Sequence, residues 1–212
     1  VSQNRSSAVM QQRSEPHDGL DDFPTPPWAT RALLHWLAQY HELGMMSCRE
    51  PSANRGHMVR PLREAFAQVM ASDVHDYGAG FHVADFLFGP ASDWTRTHWT
   101  ISNPPFRLAE QFIARALELS AIGCAMLVRS AFLEGVGRYE RLFREQPPTS
   151  VLQFSERVVM HKGRLAPEGS TATAYCWLVW EHRVTGTSLE WIPPCRKRLE
   201  RAGDYAEREL AG

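Results

Sequence analysis

The sequence predicts an α/β fold: a doubly wound, mostly parallel sheet with an antiparallel hairpin at one edge. Three observations lead there. Short apolar segments alternate with segments of helical spacing from residue 28 to residue 129. Most of the apolar segments in the first half end at an acidic or amide residue. Two longer apolar runs, 150–159 and 171–181, flank a loop containing Gly and Pro, the pattern of a hairpin. At 212 residues the chain is expected to hold one main domain, 23–192, between a flexible arm, 1–22, and a tail or helix, 193–212.

The arm is rich in Ser, Gln, Asn and Arg and has too few large apolar groups to offset the entropy of ordering. At Phe23 the run Phe-Pro-Thr-Pro-Pro imposes an extended lead-in, and residues 28–40 put Leu33, Trp36, Leu37 and Tyr40 on one helical face. Residues 44–50 read as the first strand, 51–56 as a turn, and 57–68 as a helix through Met58, Leu62, Ala65 and Phe66. A second strand, 69–74, ends near Asp73, a third short element, 81–87, near Asp85, and a fourth strand, 98–103, is stopped by Pro104 and Pro105. Residues 107–120 form the clearest helix, striped by Leu108, Phe112, Ile113, Ala116 and Leu117, and 123–129 read as a strand buried on both faces. Residues 137–145 suggest a basic surface helix.

Bulk properties exclude more than they assign. A net charge of −1 gives no global field toward a polyanion, so any nucleic-acid contact has to come from a local basic patch. Cys48, Cys124, Cys176 and Cys195 lie far apart without a CxxC pair, and buried reduced thiols are expected rather than a disulfide framework. The nine histidines show no ligand spacing such as HExxH, so no metal is expected. No segment approaches the roughly 18 apolar residues that span a bilayer, and the first twenty residues are polar, so no membrane association and a cytoplasmic location are expected.

In an open parallel sheet, ligands bind beyond the carboxyl ends of the strands. Four features fall at such ends: Glu50-Pro51-Ser52-Ala53-Asn54-Arg55-Gly56 after the first strand, Asp73 after the second, Asp85 after the third and Asn103-Pro104-Pro105-Phe106 after the fourth. With these in the order lead-in, Glu-Pro turn, acidic strand ends and NPPF, residues 23–130 resemble the Rossmann-type S-adenosylmethionine-dependent methyltransferases. Within these the chain is similar to the amino-group DNA methyltransferases that modify N6 of adenine, in the gamma-like motif order. The resemblance implies a seven-stranded class I methyltransferase sheet and S-adenosyl-L-methionine as cofactor. It also implies cofactor contacts at Thr25, Pro26, Glu50, Pro51, Ser52, Asn54, Gly56, His57, Asp73, Asp85, Phe86 and Asn103, with Asn103, Pro104, Pro105 and Phe106 as the catalytic motif. Glu50 would serve the methionyl end, Asp73 the ribose hydroxyls and Asp85 the adenine amino group. The family's turn reads acidic-Pro-x-x-Gly-x-Gly; here Asn54 stands at the first glycine, a residue that tolerates positive φ better than most.

The chemistry accounts for the residue types. A nucleobase amino nitrogen has its lone pair delocalised into the ring, so a site must hold it while it rehybridises. The Asn103 amide oxygen and the Pro104 carbonyl can each accept one N–H, the prolines stiffen the loop, and Phe106 offers a face for a flipped base. Each feature also has an ordinary reading. Asn-Pro is common turn chemistry, Asp76 is as plausible a strand-end carboxylate as Asp73, and His57 can be a helix-start polar residue. Tyr175, Trp177 and Trp180 fit sheet-face aromatics better than a base-stacking ladder.

Arg129, Arg138, Arg141, Arg144, Lys162 and Arg164 are candidate phosphate contacts, although each alone is more often a solvated charge. About 80 residues follow the strand at 123–129, so no large recognition domain is expected there. Specificity for double-stranded DNA would then come from short insertions, the hairpin loop, a homodimer or a partner. Two further readings stay open: methylation of an RNA base or a protein glutamine by the same motif, and a degenerate fold serving as a binding subunit.

Overall fold

The computed structural model describes residues 21–165, 167–169 and 171–206, so the expected arm lies outside the described residues except for Asp21 and Asp22. Eight strands form one sheet in the order β3-β2-β1-β4-β5-β7-β6-β8. They are β1 (Ser47–Glu50), β2 (Gln68–Asp73), β3 (His82–Val83), β4 (Thr97–Ser102), β5 (Ser120–Arg129), β6 (Ser150–Phe154), β7 (Tyr175–Glu181) and β8 (Ser188–Ile192). Every neighbouring pair is parallel except the two made by β7, which runs against both β5 and β6.

The doubly wound α/β class is as the sequence predicts, with two corrections. The sheet has eight strands rather than seven, and the β6–β7 hairpin is not at the edge, because β8 pairs in parallel outside β6. The strand β8 is hard to see in the sequence because its alternation is inverted. Leu189 and Trp191 are exposed, while Glu190 on the other face accepts a hydrogen bond from Trp36 Nε1 at 2.9 Å.

Helices cover both faces. On one, α1 (Pro27–Leu37), α2 (Val59–Ala65) and the short C-terminal α5 (Arg196–Leu199) cover a core built on Trp28, Leu33, Leu62, Trp99, Leu127, Leu152 and Trp177. Apolar burial of this kind is the main stabilising term, and indole N–H groups inside it need acceptors. Trp177 Nε1 donates to the Ala29 carbonyl at 3.1 Å. On the other face α3 (Ala109–Leu119) and α4 (Val136–Arg138), which continues as a π-helical turn over Tyr139–Phe143, cover Phe112, Ile113, Met126, Leu142 and Trp180. The predicted basic helix at 137–145 is thus one short α turn followed by a π turn.

Several predicted boundaries shorten. The first helix stops at Leu37, which leaves Tyr40 beyond its end and 62% exposed. The second begins at Val59, so His57 precedes it rather than opening it. The third begins at Ala109, and Leu108, placed on its apolar stripe by spacing, lines a cavity instead. The third element is only the two-residue β3, and the two hairpin strands keep only part of each apolar run. Tyr175, Trp177 and Trp180 are buried as sheet-face aromatics, and all four cysteines are buried free thiols. At Gly123 a Cβ would stand 1.9 Å from the Trp180 carbonyl oxygen, so β5 and β7 approach where only hydrogen fits. Among the described residues no helix is long and apolar enough to cross a membrane, and no group of three His, Cys, Asp or Glu is placed to hold a metal.

Candidate ligand cavity at the strand ends

Strand order reverses between β1 and β4, and a cavity of about 380 Å³ opens beyond their carboxyl ends, where chain connectivity drives the loops apart. The end of β1 contributes Glu50 and the loop after it Pro51, Ser52 and Asn54, with His57 just beyond. Asp73 comes from the end of β2, Asp85 and Phe86 from the loop after β3, Asn103 and Pro105 from the loop after β4, and Thr25 from the lead-in. Pro26, Gly56, Pro104 and Phe106 are not in the wall, although each neighbours a residue that is close to it. Asp76, the alternative to Asp73, is also outside the wall and accepts the Gly78 N–H at 2.8 Å.

The turn after β1 is held by backbone geometry. Asn54 adopts φ 49° and Gly56 φ 84°, so the asparagine occupies the left-handed conformation that a glycine would otherwise take. The Ala53 N–H reaches the Ser72 carbonyl at 2.9 Å, and the Asn54 N–H reaches Asp73 Oδ2, also at 2.9 Å. Asp73 Oδ1 accepts the His75 N–H at 3.0 Å, which fixes the carboxylate between turn and strand end.

Glu50 is fully buried. Its Oε1 accepts the Ser52 N–H and the Ser102 hydroxyl, both at 2.8 Å, while Oε2 has no partner among the described residues. Burial pushes its pKa up to about 8; the two hydrogen bonds work against that rise, and the charge of Asp73 adds to it. His57 goes the other way. Burial, then the charges of Arg60 and Arg55, push it down to about 4, so the ring is neutral at neutral pH. Arg60 Nη2 donates to His57 Nδ1 at 2.9 Å, which leaves the ring proton on Nε2 as a donor.

Across the cavity the Asn103 amide is oriented by its own nitrogen. Nδ2 donates to the Phe23 carbonyl at 2.9 Å and lies 3.8 Å from Met160 Sδ, and Oδ1 is a buried acceptor without a donor among the described residues. The Phe106 N–H reaches Asp21 Oδ2 at 2.6 Å, and its ring is in contact with both Phe23 and Arg129. Phe23 packs at 5.3 Å between centroids, and the Arg129 guanidinium lies 3.9 Å from the ring centroid. The lead-in is in turn tied to the first turn, since Asp22 accepts from Asn54 Nδ2 at 2.7 Å and pairs with Arg55 at 3.0 Å.

Several wall positions escaped the sequence reading, Tyr77, Asp21 and Leu108 among them. Tyr77 lies beneath Arg55, 5.1 Å from ring centroid to guanidinium, and burial with the charges of Asp73 and Asp22 pushes its pKa up to about 12. Its only signal was an aromatic flanked by turn residues after a strand-end acid. Asp21 sits in the stretch assigned to the arm, and Leu108 in the stretch assigned to the core helix. Phe86 both lines the cavity and belongs to the core, edge-on to Trp94 at 5.5 Å. Among the candidate phosphate contacts, Arg138 donates to the Phe132 and Glu134 carbonyls, and Arg141 and Arg144 pair with Glu110 and Glu145. Lys162 and Arg164 are exposed in the hairpin loop, where the Gly163 N–H reaches the Asp22 carbonyl at 2.8 Å.

The sheet order, the reversed β7 and a strand-end cavity at the switch point define the class I methyltransferase fold. No known protein-family profile matches the chain, and no curated protein matches it. Solved structures do. A type I restriction-modification system methyltransferase subunit from Streptococcus thermophilus superposes with TM-score 0.58 at 10% identity, covering 87% of this chain and 50% of its own. The modification subunit of a candidate type I restriction enzyme from Vibrio vulnificus YJ016 gives 0.57 at 16%, covering 96% and 54%. A candidate RNA methyltransferase from Pyrococcus horikoshii gives 0.56 at 16%, covering 84% and 96%. The chain spans about half the length of the two restriction-modification subunits, and at these identities what it shares with all three is the fold.

Proposed function

We propose that this protein is an S-adenosylmethionine-dependent methyltransferase that methylates the N6 amino group of adenine in DNA. The observation that carries the reading is a pair of buried oxygens without donors among the described residues, Glu50 Oε2 and Asn103 Oδ1, on adjacent strand ends of one cavity. A buried acceptor left unpaired is costly, and here each belongs to a residue that the NPPF resemblance assigns to ligand or substrate.

The residues fit the cofactor. Glu50 Oε2 is an acceptor for the methionyl ammonium, and a bound cation favours the ionised carboxylate that burial opposes. Asp73 is fixed by two backbone N–H groups and keeps lone pairs for ribose hydroxyls. Asp85, exposed at the far wall, has one oxygen on the Leu87 N–H and the other available to an adenine amino group. The neutral His57 offers an N–H donor, and Phe86, Tyr77 and Leu108 supply apolar surface. S-adenosylmethionine, when bound, supplies an electrophilic methyl group on a sulfonium leaving group.

The chain's own contribution is positioning. Asn103 Oδ1 accepts one N–H of the target amine and the Pro104 carbonyl the other, which steers the nitrogen lone pair toward the methyl carbon. The bound cofactor would supply the methyl group and its sulfonium the leaving group, and the methylated amine would give its extra proton to water. A base that stacks on Phe106 takes the place of the exposed Arg129 guanidinium, which lies 3.9 Å from the ring centroid; the released arginine then meets the backbone phosphate. The choice of DNA follows the motif order and the names of the two restriction-modification subunits that share the fold. Recognition by a partner or a second copy, rather than by this domain alone, is part of the proposal.

Incubation with labelled cofactor and separate DNA, RNA and protein pools, followed by mass spectrometry of the digested product, tests it. N6-methyladenine in DNA is the expected product. Label confined to RNA or protein ends the DNA assignment, and calorimetry without heat at millimolar cofactor ends the transferase.

A further inference from the structure

A second cavity, of about 520 Å³, lies beside the first and shares Asp85 with it. Its floor comes from β1 and β2 and its roof from the loop that carries Trp94. Arg49 lines it with only 5% of its surface exposed. The guanidinium donates from Nη2 to the Thr95 carbonyl at 2.6 Å, lies 3.8 Å from Met70 Sδ and sits 4.9 Å from the Trp94 ring centroid. Among the described residues no carboxylate pairs with it, and its Nε–H is buried without an acceptor. Ser72, 4% exposed in the same wall, has a hydroxyl that is also buried without a partner among the described residues.

A permanently charged guanidinium out of water needs a counter-charge, and a buried donor needs an acceptor. Water in this cavity would satisfy the hydrogen bonds but bring no charge, and Asp85 and Asp93 line the same cavity without forming an ion pair with Arg49 among the described residues, whereas an oxyanion at the guanidinium supplies both acceptor and charge. We propose that the cavity over Arg49 and Ser72 is a binding site for a small, singly charged oxyanion, bound by Arg49 Nε–H and the Ser72 hydroxyl. Burial, with the neighbouring Arg115 charge, holds the Arg49 pKa below its usual value, the opposite of what a resident carboxylate partner would do.

Charge at the rim narrows the ligand. Asp85 and Asp93 also line the cavity; Asp85 accepts the Leu87 N–H at 2.9 Å and Asp93 lies 3.4 Å from the Ser92 hydroxyl. Two carboxylates oppose a multiply charged anion and tolerate a monoanion, which leaves a carboxylate or a singly charged phosphate as the source of the oxygens. This site does not depend on methyl transfer, because none of its donors faces the strand-end cavity described above.

Titration of the whole chain with acetate and, separately, with inorganic phosphate tests it, read by the side-chain Nε–H resonance of Arg49. A saturable shift with either probe is expected, and which probe produces it identifies the source. Ser72→Ala should weaken that binding by up to about tenfold, the loss of one hydrogen bond. Arg49→Lys should remove saturation as followed on the Trp94 indole N–H; if that variant does not fold, Ser72→Ala and the wild-type resonance still decide. Shifts that stay linear with both probes overturn the site, as does a saturable shift of equal affinity in Ser72→Ala.

Discussion

The turn after β1 and the loop after β4 each present one buried oxygen to the same cavity, but they hold it by different means. Glu50 is ionisable, fully buried and anchored by Ser102 from the adjacent strand and by its own turn. Asn103 is neutral and is oriented by the carbonyl of Phe23, a residue of the lead-in. The first therefore answers to pH and to the charge of whatever binds, while the second answers to whether the lead-in is in place. Under the proposed activity these are separable properties, affinity on one side and turnover on the other.

The sharpest test of that separation is Asn103→Ala. Removal of one preorganised acceptor should lower methyl transfer by about a hundredfold or more, with cofactor affinity by calorimetry nearly unchanged. A fully active alanine variant would dissolve the contrast. Next in size is Glu50→Gln, which should weaken cofactor binding by about tenfold to a hundredfold, the range for a hydrogen bond to a charged group, while turnover at saturation changes much less.

Glu50 also sets a pH dependence of stability. Its folded pKa of about 8 lies above the unfolded value of about 4.3, so between the two the folded chain holds a proton that the unfolded chain has lost. The contribution is complete below the unfolded value, declines as pH rises toward about 8 and is flat beyond it. Thermal unfolding of the ligand-free chain across that window should show this decline in the wild type and lose it in Glu50→Gln. An identical slope in both would mean that another group sets it.

Smaller effects belong to the turn backbone. Gly56→Ala places a side chain at φ 84° with its Cβ 2.9 Å from Phe81 Cζ, so about 1 kcal/mol of stability should be lost, more than Phe81→Leu alone restores. Asn54→Gly should change denaturant stability by no more than about 0.5 kcal/mol, since relief at φ 49° is offset by loss of the hydrogen bond to Asp22. A large loss there would mean that the lead-in depends on that bond.

Much of the parallel half was legible because its signals are local. Short apolar strands ending in Glu50, Asp73 and Asn103 announce both the strands and the edge of the sheet where they stop, and all three residues line the cavity. The last third was less legible, since β8 turns Leu189 and Trp191 outward and reverses the pattern that marks a half-buried strand. Tyr77, Asp21 and Leu108 were missed for a related reason: nothing in their own neighbourhoods distinguishes a cavity wall from a turn, an arm or a helix stripe.

The order of amino acids alone determined the class of fold and the strand ends where polar groups collect, because backbone periodicity and turn chemistry act over a few residues. Tertiary structure alone decided the state of those groups. It buried Glu50 against a hydroxyl 52 positions away, turned the Asn103 amide with a carbonyl 80 positions away, and brought Phe23 and Arg129 against the Phe106 ring. Protonation and side-chain orientation depend on neighbours brought together through space, and chain-local patterns carry no record of which neighbours those will be.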